Sequence, residues 1–343
     1  MNKIDQHAVI DIREAPDAVQ RQAQMIAKPA AELLARLRRG RPSLVMTCAR
    51  GSSAHAATFA KHLVERHLGL PCAEAAPSIA SVYRVGLRLK DQLFLAISQS
   101  GQSDDLIQTA ALARKAGAVT AALVNEVDSP LAEACEFVLP TAAGPERSVA
   151  ATKTFVTTLA ALLRLLAEWR ADNALKAALD RLPARLAVAA ALDWSEAVDL
   201  LWRATSLATI GRGPTLAIAR EAALKFKEGC NLPAEAFSGA EFMHGPLSLV
   251  SHRYPVMMFM PTDEAAEGLR ALASDLRRKG AAVLAVGADD DLGGGLPALP
   301  PDHPDVDPVC LIQTFYVFLV GLARRRGTSI EHPRHLRKVT RTQ

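Results

Sequence analysis

Residues 92–117 read QLFLAISQSGQSDDLIQTAALARKAG and pass from an apolar run through a polar turn into a helical pattern. A short apolar run of this kind predicts a buried strand, and the recurring apolar positions after residue 104 predict a helix. A buried strand, a turn rich in glycine and serine, and a helix together form the repeating unit of a doubly wound parallel sheet. This stretch therefore predicts an α/β fold.

The same pattern lies on both sides of this stretch. Upstream, SLVMTC at 43–48 predicts a strand that is followed by the turn ARGSS and a helical pattern, and 17–39 predict an amphipathic helix before it. Downstream, AVTAALVN at 118–125 predicts the next strand, and 148–170 predict a long apolar helix. The first half of the chain is thus expected to form one α/β domain.

A second round of strands is predicted at 206–210, 254–260 and 281–286. Aligning Arg50-Gly51 with Arg212-Gly213 gives an offset of about 162 residues, and such an internal repeat indicates two copies of one domain. We therefore predict two tandem doubly wound, flavodoxin-like, parallel-sheet domains. The expected boundaries are a helical arm at 1–40, a first domain at 41–192, a second domain at 193–325 and a C-terminal tail at 326–343.

Composition excludes several classes of protein. The chain has 343 residues, of which 50% are hydrophobic and 22% charged, so it is not a disordered chain. A net charge of +4 is too small for a nucleic-acid binder held mainly by charge. The five scattered cysteines form no metal or disulfide pattern, and the first thirty residues lack a signal peptide. The longest apolar stretch, 309–323, falls short of the ~20 residues that span a bilayer. A cytoplasmic protein without a membrane partner, metal or cofactor is expected.

Hydroxyl and amide side chains are concentrated on two predicted strand-to-helix turns. One turn is SQSGQS at 98–103, and the other carries Ser52 and Ser53. Turns of this type lie at the carboxyl ends of parallel strands, where helix N-termini favour an anion. The pair predicts an uncharged phosphate cradle, although a polar turn of this kind can also be an ordinary helix cap.

Several acid–base residues lie within the second repeat. Glu221, Lys225 and Glu228 lie on one predicted helix, where the spacing of Glu221 and Lys225 also fits a simple surface ion pair. Glu235, Glu241 and His244 lie in a predicted loop that ends at 245–246, and loops often carry catalytic groups. Lys338 is on a basic tail that is either frayed or a flap over the substrate.

Taken together, five motifs resemble the sugar isomerase (SIS) domain family. They cover nearly the whole chain in consistent order: ISQSGQS, SVAATKTF, GRGPTLAIAREAALKFKE, AEAFSGAEFMHGPLSL and EHPRHLRKVT. The chain is similar to the tandem-SIS isomerase half of glucosamine-6-phosphate synthases. It looks still more like the standalone type II glucosamine-6-phosphate deaminases, because Arg50–Ser53 replaces the sequence CGTS of the synthases and Ser100–Gln102 replaces SGE.

The resemblance implies roles for individual residues. It implies phosphate binding by Ser53, Ser98, Gln99, Ser100 and Ser103, and contact of the Val149 backbone with the sugar. Lys225 and Glu228 match the active-site lysine and the carboxylate base. His244 matches a histidine that assists ring opening and comes from the other subunit of a homodimer. Lys338 matches a lysine of the C-terminal tail that closes over the active site.

The expected function is the conversion of glucosamine 6-phosphate and water into fructose 6-phosphate and ammonia, without a cofactor. No glutaminase segment precedes Ile12, so release of ammonia is the expected direction. Three alternatives stay open from the sequence. They are a galactosamine-6-phosphate deaminase/isomerase, an ammonia-dependent glucosamine-6-phosphate synthase, and a non-catalytic protein that senses sugar phosphates.

Overall fold

The computed structural model describes residues 5–287 and 295–338. Parts of the predicted arm, second domain and tail (1–4, 288–294 and 339–343) lie outside these residues. The chain divides into two compact units. The first-sheet unit comprises Asp17–Pro145, Lys153–Asp180 and Arg337–Gln343, and the second-sheet unit comprises Met1–Pro16, Glu146–Thr152 and Arg181–Leu336. The domain boundaries expected from the sequence stay predictions.

Among its described residues, the first-sheet unit contains five strands and five helices of its own. Its strands are β1 (Val45–Ala49), β2 (Cys72–Glu74), β3 (Leu93–Ser98), β4 (Val119–Val124) and β5 (Phe137–Pro140). Its helices are α2 (Ser52–Leu68), α3 (Pro77–Ser81), α4 (Asp104–Lys115), α5 (Pro130–Ala134) and α6 (Lys153–Arg170). Helices α1 (Gln6–Gly40) and α7 (Asn173–Ala189) contribute residues to both units.

In the described residues, the second-sheet unit also has five strands. They are β6 (Leu207–Gly211), β7 (Ala234–Ser238), β8 (Pro255–Phe259), β9 (Ala282–Val286) and β10 (Gly295–Leu296). Its helices are α8 (Ser195–Leu201), α9 (Pro214–Cys230), α10 (Gly239–Met243), α11 (Ala266–Arg278) and α12 (Asp307–Arg326), with a 3₁₀ turn at Pro246–Leu249.

The two sheets share one topology. Their strand orders are β2-β1-β3-β4-β5 and β7-β6-β8-β9-β10, and every strand pair is parallel. The turns after β1 and β6 also match in conformation, because Gly51 has φ 53° and ψ −133° and Gly213 has φ 56° and ψ −134°. Glycine tolerates such angles at low cost. The predicted α/β fold with two repeated parallel-sheet domains is confirmed.

The core of the first-sheet unit fixes the position of the candidate phosphate turn. Every residue of β3 and β4 is buried, as expected for interior strands of a parallel sheet covered on both faces. Phe94 and Leu106 belong to one apolar cluster that joins β3 to α4. Because both elements are held by this cluster, the turn between them leaves the sheet at a defined point.

Three local predictions were wrong in their boundaries. The predicted helix 148–170 begins only at Lys153, since the Thr152 N–H and hydroxyl both donate to the Glu146 carboxylate and hold the preceding residues in a loop. The predicted helix 17–39 begins earlier, at Gln6. The predicted loop around Glu235 and Glu241 instead contains strand β7 and helix α10.

The ends of the described chain hold each other within the second-sheet unit. The Asp5 carboxylate accepts hydrogen bonds from the Ser329 hydroxyl and from the N–H groups of Ile330 and Glu331. In return, the Glu331 carboxylate accepts the N–H groups of His7 and Ala8 at the start of α1. Each carboxylate thus satisfies backbone donors of the other segment, including unpaired N–H groups of a helix N-terminus.

Helix α12 is longer than the apolar stretch seen in the sequence. This 20-residue helix is long and apolar enough to cross a membrane, but 83% of its apolar 18-residue stretch is buried inside the protein. A core helix passes the same test of length and composition. The five cysteines are likewise buried and free, and burial raises the pKa of each thiol to about 12. They are therefore protonated core residues at neutral pH.

Candidate functional site

The turn between β3 and α4 is folded around its own serines. The Gly101 N–H donates to Ser98 Oγ at 3.1 Å, and the Gln102 N–H donates to Ser100 Oγ at 3.3 Å. In both bonds the hydroxyl is the acceptor, so each serine keeps its own proton for a ligand. Ser103 is the N-cap residue of α4 and, among the described residues, its side chain makes no capping bond.

Gly101 is required by the geometry of this turn. Its φ is +63°, in the left-handed region that favours glycine. A Cβ at this position would lie 2.0 Å from Ser129 Oγ and 2.5 Å from Ser129 Cβ. The close approach of the two segments therefore leaves no space for a side chain.

Gly101→Ala is expected to lower the free energy of unfolding by about 2–4 kcal/mol, because it combines left-handed strain with a steric clash. Denaturant unfolding monitored by circular dichroism would measure the change. Gly86→Ala is the matched control, since Gly86 has ordinary φ and open space around its Cβ position. Equal stability of the two variants would contradict this account of the turn.

An ion pair joins this turn to the neighbouring turn between β1 and α2. The Arg50 guanidinium donates from Nε and Nη2 to Asp105 Oδ2 at 3.1 and 2.7 Å. Asp105 is buried in the first turn of α4, whereas the Arg50 side chain is about half exposed. Arg50 thus balances a carboxylate that would otherwise repel an anion at this edge of the sheet.

The other predicted phosphate ligands lie on the same unit. Ser52 and Ser53 are the first residues of α2 and are partly exposed, so their backbone N–H groups lie in the first turn of a helix, where anions are favoured. Gln99 is partly exposed beside Ser100. Lys338 is exposed, and the described tail residues 327–338 form no helix or strand. Closure of this tail over a substrate stays a prediction.

The second-sheet unit carries a buried set of charges on α9. Lys225 Nζ lies 2.8 Å from Glu228 Oε2 and 3.4 Å from Glu221 Oε1. Glu221 and Lys225 are fully buried, so the interpretation of this pair as a solvent-exposed surface contact is wrong. Glu228 keeps about 20% of its side chain exposed. It is therefore the member of the set that solvent or a ligand can reach.

Electrostatics keep Lys225 charged. Burial disfavours the ammonium ion, but the carboxylates of Glu221 and Glu228 outweigh that effect and raise the pKa of Lys225 above its usual value. Lys225 is therefore an ammonium ion at neutral pH. A buried ammonium that donates to Glu228 holds that side chain in place.

Glu228 lines a cleft of about 450 Å³ inside the second-sheet unit, opposite the segment 327–334. Segment 327–334 is fixed to α9 at Gly229, the residue after Glu228, because the Thr328 hydroxyl donates to the Gly229 carbonyl at 2.7 Å. A Cβ on Gly229 would also lie 2.4 Å from Ile330 Cγ2, so glycine permits this approach. Glu228 therefore borders a cleft large enough for a small-molecule ligand.

The loop with Val149 is held by the same segment. The N–H groups of Val149 and Ala150 donate to the carbonyls of Glu331 and Ile330 at 3.4 and 3.3 Å. On its other side the loop is anchored to Asp11, whose carboxylate accepts the Ser148 hydroxyl and backbone N–H. The Val149 N–H is thus already used within the protein.

A family model described as "SIS domain" matches residues 43–167 and 200–291, which together cover more than half of the chain. The chain belongs to the SIS domain family. This finding confirms the resemblance seen in the sequence motifs.

Curated relatives of this SIS chain are about twice its length. A glutamine–fructose-6-phosphate aminotransferase (isomerizing) from Symbiobacterium thermophilum is 34% identical over 307 residues, covering 84% of this chain and 50% of that protein. The enzyme of the same name from Pseudomonas syringae is 32% identical over 357 residues, covering 96% of this chain and 57% of that protein. The SIS chain therefore spans about half the length of the relatives it matches.

Solved structures share the fold across nearly the whole SIS chain. A Silicibacter pomeroyi protein, provisionally described as a phosphosugar isomerase, has a TM-score of 0.90 at 44% identity and covers 94% of this chain and 99% of that one. The C-terminal domain of a Francisella tularensis glucosamine-fructose-6-phosphate aminotransferase has a TM-score of 0.85 at 25% identity, covering 96% and 99%. A Thermotoga maritima glucosamine-6-phosphate deaminase has a TM-score of 0.79 at 19% identity, covering 98% and 100%, which shows the fold alone.

The structure brings some of the predicted SIS site residues together and leaves others apart. Lys225 and Glu228 are in direct contact. His244 is exposed at the end of α10 and, within the described residues, makes no hydrogen bond to either of them. The described residues also contain no cluster of three or more His, Cys, Asp or Glu side chains that could hold a metal ion.

The sequence did not point to two polar residues that contact predicted elements of the candidate site, one in each unit. Arg50 helped to align the internal repeat and departs from the synthase motif, but it was not considered for the candidate site, although a cation after β1 is a usable signal for an anion site. Tyr316 on α12 donates its hydroxyl to Glu221 Oε1 at 3.1 Å. Nothing in its local sequence marks this tyrosine, since its partner is 95 residues away.

Proposed function

We propose that this protein is an isomerising glucosamine-6-phosphate deaminase, which converts glucosamine 6-phosphate and water into fructose 6-phosphate and ammonia. The observation that carries the proposal is the Glu228 carboxylate, partly exposed at a cleft and held by the buried Lys225 ammonium. A positioned, ionised carboxylate is the group that proton transfer between adjacent carbons requires. Relatives named for hexosamine phosphate chemistry support this choice of substrate.

The first-sheet unit is assigned to the phosphate group of the substrate. Ser53, Ser98 and Ser100, with Gln99 and Ser103, offer hydroxyl and amide donors without adding charge, and α2 and α4 present their N-termini to the same edge of the sheet. Binding energy from a phosphate that does not react can orient the carbons that do.

The reaction then proceeds in four steps. His244 moves a proton as the sugar ring opens to the aldehyde. Glu228 removes the proton from C2, which gives an enolamine. Protonation of C1 converts the enolamine into a ketimine at C2. Water adds to the ketimine, and loss of ammonia leaves the ketone of fructose 6-phosphate.

The lysines supply positive charge during these steps. We assign Lys225 to holding Glu228, with which it is already in contact, and Lys338 to the oxygen on which negative charge develops. All groups in this scheme are protein side chains and water.

Ammonia release from glucosamine 6-phosphate, galactosamine 6-phosphate and their N-acetyl forms, assayed side by side, tests the proposal. Release from glucosamine 6-phosphate alone, with fructose 6-phosphate as the second product, is the expected result. Faster release from galactosamine 6-phosphate would move the assignment to that sugar. Tight binding of all four compounds without turnover would favour the alternative of a non-catalytic sensor.

The relatives named aminotransferases favour one second candidate, an ammonia-dependent synthase that runs the same chemistry in reverse. Incubation of fructose 6-phosphate with ammonium chloride, followed by measurement of glucosamine 6-phosphate, examines this direction. Both reactions are directions of one equilibrium. The ratio of the rate of ammonia release to the rate of glucosamine 6-phosphate formation, measured at cellular ammonium concentrations, therefore decides between a deaminase and a synthase.

We further propose that the active enzyme is a homodimer in which His244 serves the partner's site, as its exposed position on α10 allows. Mixing inactive Glu228→Gln and His244→Asn subunits is then expected to restore about a quarter of wild-type activity, since half of the dimers are mixed and each has one intact site. The measurement is ammonia release after unfolding and refolding the subunits together. Activity no higher than that of the separate variants would mean that His244 acts within its own chain.

A further inference from the structure

A continuous chain of contacts links a tyrosine of α12 to the carboxylate at the cleft. The Tyr316 hydroxyl donates to Glu221 Oε1 at 3.1 Å, Lys225 Nζ lies 3.4 Å from the same oxygen, and Lys225 Nζ lies 2.8 Å from Glu228 Oε2. Tyr316, Glu221 and Lys225 are fully buried, so Glu228 is the one member of this series of contacts that solvent can reach.

The buried phenol has one available role in this chain. Burial, reinforced by the charge of Glu221, raises the pKa of Tyr316 well above its usual value, so the hydroxyl stays protonated and acts as a donor. Its ring packs beside Phe315, with centroids 6.1 Å apart. Tyr316 therefore supplies Glu221 with a neutral donor that supplements the Lys225 ammonium.

The negative charge around Lys225 makes the hydrogen bond from the Tyr316 hydroxyl important. Glu146, buried on the neighbouring loop, also acts electrostatically on Lys225 and Tyr316, so Lys225 is subject to the charges of three carboxylates. The charged or titratable residues that line the cleft with Glu228 are Asp5, Glu331, His332 and Arg334. Because Lys225 interacts with several carboxylates, a hydrogen bond from another donor to Glu221 weakens the attraction between Glu221 and Lys225. The interaction of Lys225 with Glu228 is then stronger.

We propose that Tyr316 is a positioning residue that divides the Lys225 ammonium between Glu221 and Glu228 and thereby sets how easily Glu228 is protonated. This inference rests on the proposed function, in which Glu228 is the base. The asymmetry of the two contacts supports it: Lys225 is closer to Glu228 than to Glu221, which already holds the tyrosine proton.

Two variants are expected to act in opposite directions. In Tyr316→Phe, Glu221 loses its neutral donor and draws Lys225 away from Glu228, so the acid limb of the kcat/KM profile moves to higher pH by about 1 unit. In Glu221→Gln, the amide oxygen still accepts from Tyr316 but position 221 no longer carries a charge that competes for Lys225, so the acid limb moves to lower pH. KM for the sugar phosphate is expected to stay within about twofold in Tyr316→Phe, because the change leaves the first-sheet unit untouched.

Thr314→Val is the matched control for loss of a buried hydroxyl on α12. Its hydroxyl donates to the Ala189 and Cys310 carbonyls and, among the described residues, contacts no member of the charged set. The control is therefore expected to keep the wild-type acid limb. If the acid limb of the kcat/KM profile shifted by the same amount in Tyr316→Phe and Thr314→Val, the role of Tyr316 would be structural only.

Titration of the Glu228 side-chain carboxyl by ¹³C NMR tests the same point without any reaction, with the signal assigned from its loss in Glu228→Gln. A midpoint that rises in Tyr316→Phe and falls in Glu221→Gln supports the inference, even where no ammonia is released and the proposed function fails. An unchanged midpoint in Tyr316→Phe overturns it. If that variant does not fold, an unchanged midpoint in Glu221→Gln overturns it instead.

Discussion

Glu228→Gln is expected to lower kcat for ammonia release by ~10²–10⁴-fold, the usual contribution of a positioned general base. The amide keeps the size of the side chain and can still accept a hydrogen bond from Lys225, so the fold and the cleft are preserved. It cannot take a proton from C2. KM for glucosamine 6-phosphate should change only several-fold, because the phosphate is assigned to residues of the first-sheet unit.

The matched control is Glu267→Gln, the same chemical change at an exposed position on α11 of the second-sheet unit. It is expected to leave kcat and KM at wild-type values. Exchange of solvent deuterium into C1 of fructose 6-phosphate should disappear together with ammonia release in Glu228→Gln. Near wild-type ammonia release by that variant would show that another group is the base.

Removal of the two serine hydroxyls of the β3–α4 turn should raise KM instead of lowering kcat. A hydrogen bond to a charged group contributes about 1.5–3 kcal/mol, so the double variant Ser98→Ala/Ser100→Ala is expected to raise KM by at least ~10²-fold. Both hydroxyls accept backbone N–H groups in the structure and have a proton left for a phosphate oxygen. Steady-state kinetics with glucosamine 6-phosphate, together with equilibrium binding, would separate the two constants.

A double variant on α3, Ser78→Ala/Ser81→Ala, controls for the loss of two hydroxyls in the same unit. These serines lie on a short surface helix outside the turn and should not affect binding. If KM of the Ser98/Ser100 variant matched that of this control, the phosphate would have to bind elsewhere.

The interior strands were predictable because each of them is a long, contiguous run of apolar residues in the sequence. Strand β3 was expected at 92–98 and is found at Leu93–Ser98, since six consecutive buried positions leave an unbroken apolar run. Strands β2 and β10 have only three and two residues, too few to show a period of their own. Their formation depends on pairing with β1 and β9, which is information from distant parts of the chain.

The candidate site was predictable to a similar extent. The serine turn and the lysine–glutamate pair are contiguous motifs, so sequence identified them. Burial of Glu221 was not predictable, because α9 is lined by small apolar residues on several faces and gives only a weak period. The Tyr316 contact and the Arg50–Asp105 pair join separate elements, and only the folded chain reveals them.

The mutual capping of Asp5 and Glu331 has a consequence for how the molecule is made. Residues 5–8 are translated well before their hydrogen-bonding partners at 329–331, which lie 323–326 positions later in the sequence. The first sheet can pair while synthesis continues, because its strands end at residue 140. Residues 5–8 instead lack these partners until 329–331 have been synthesised, so the Glu228 cleft is expected to form after the first sheet has paired.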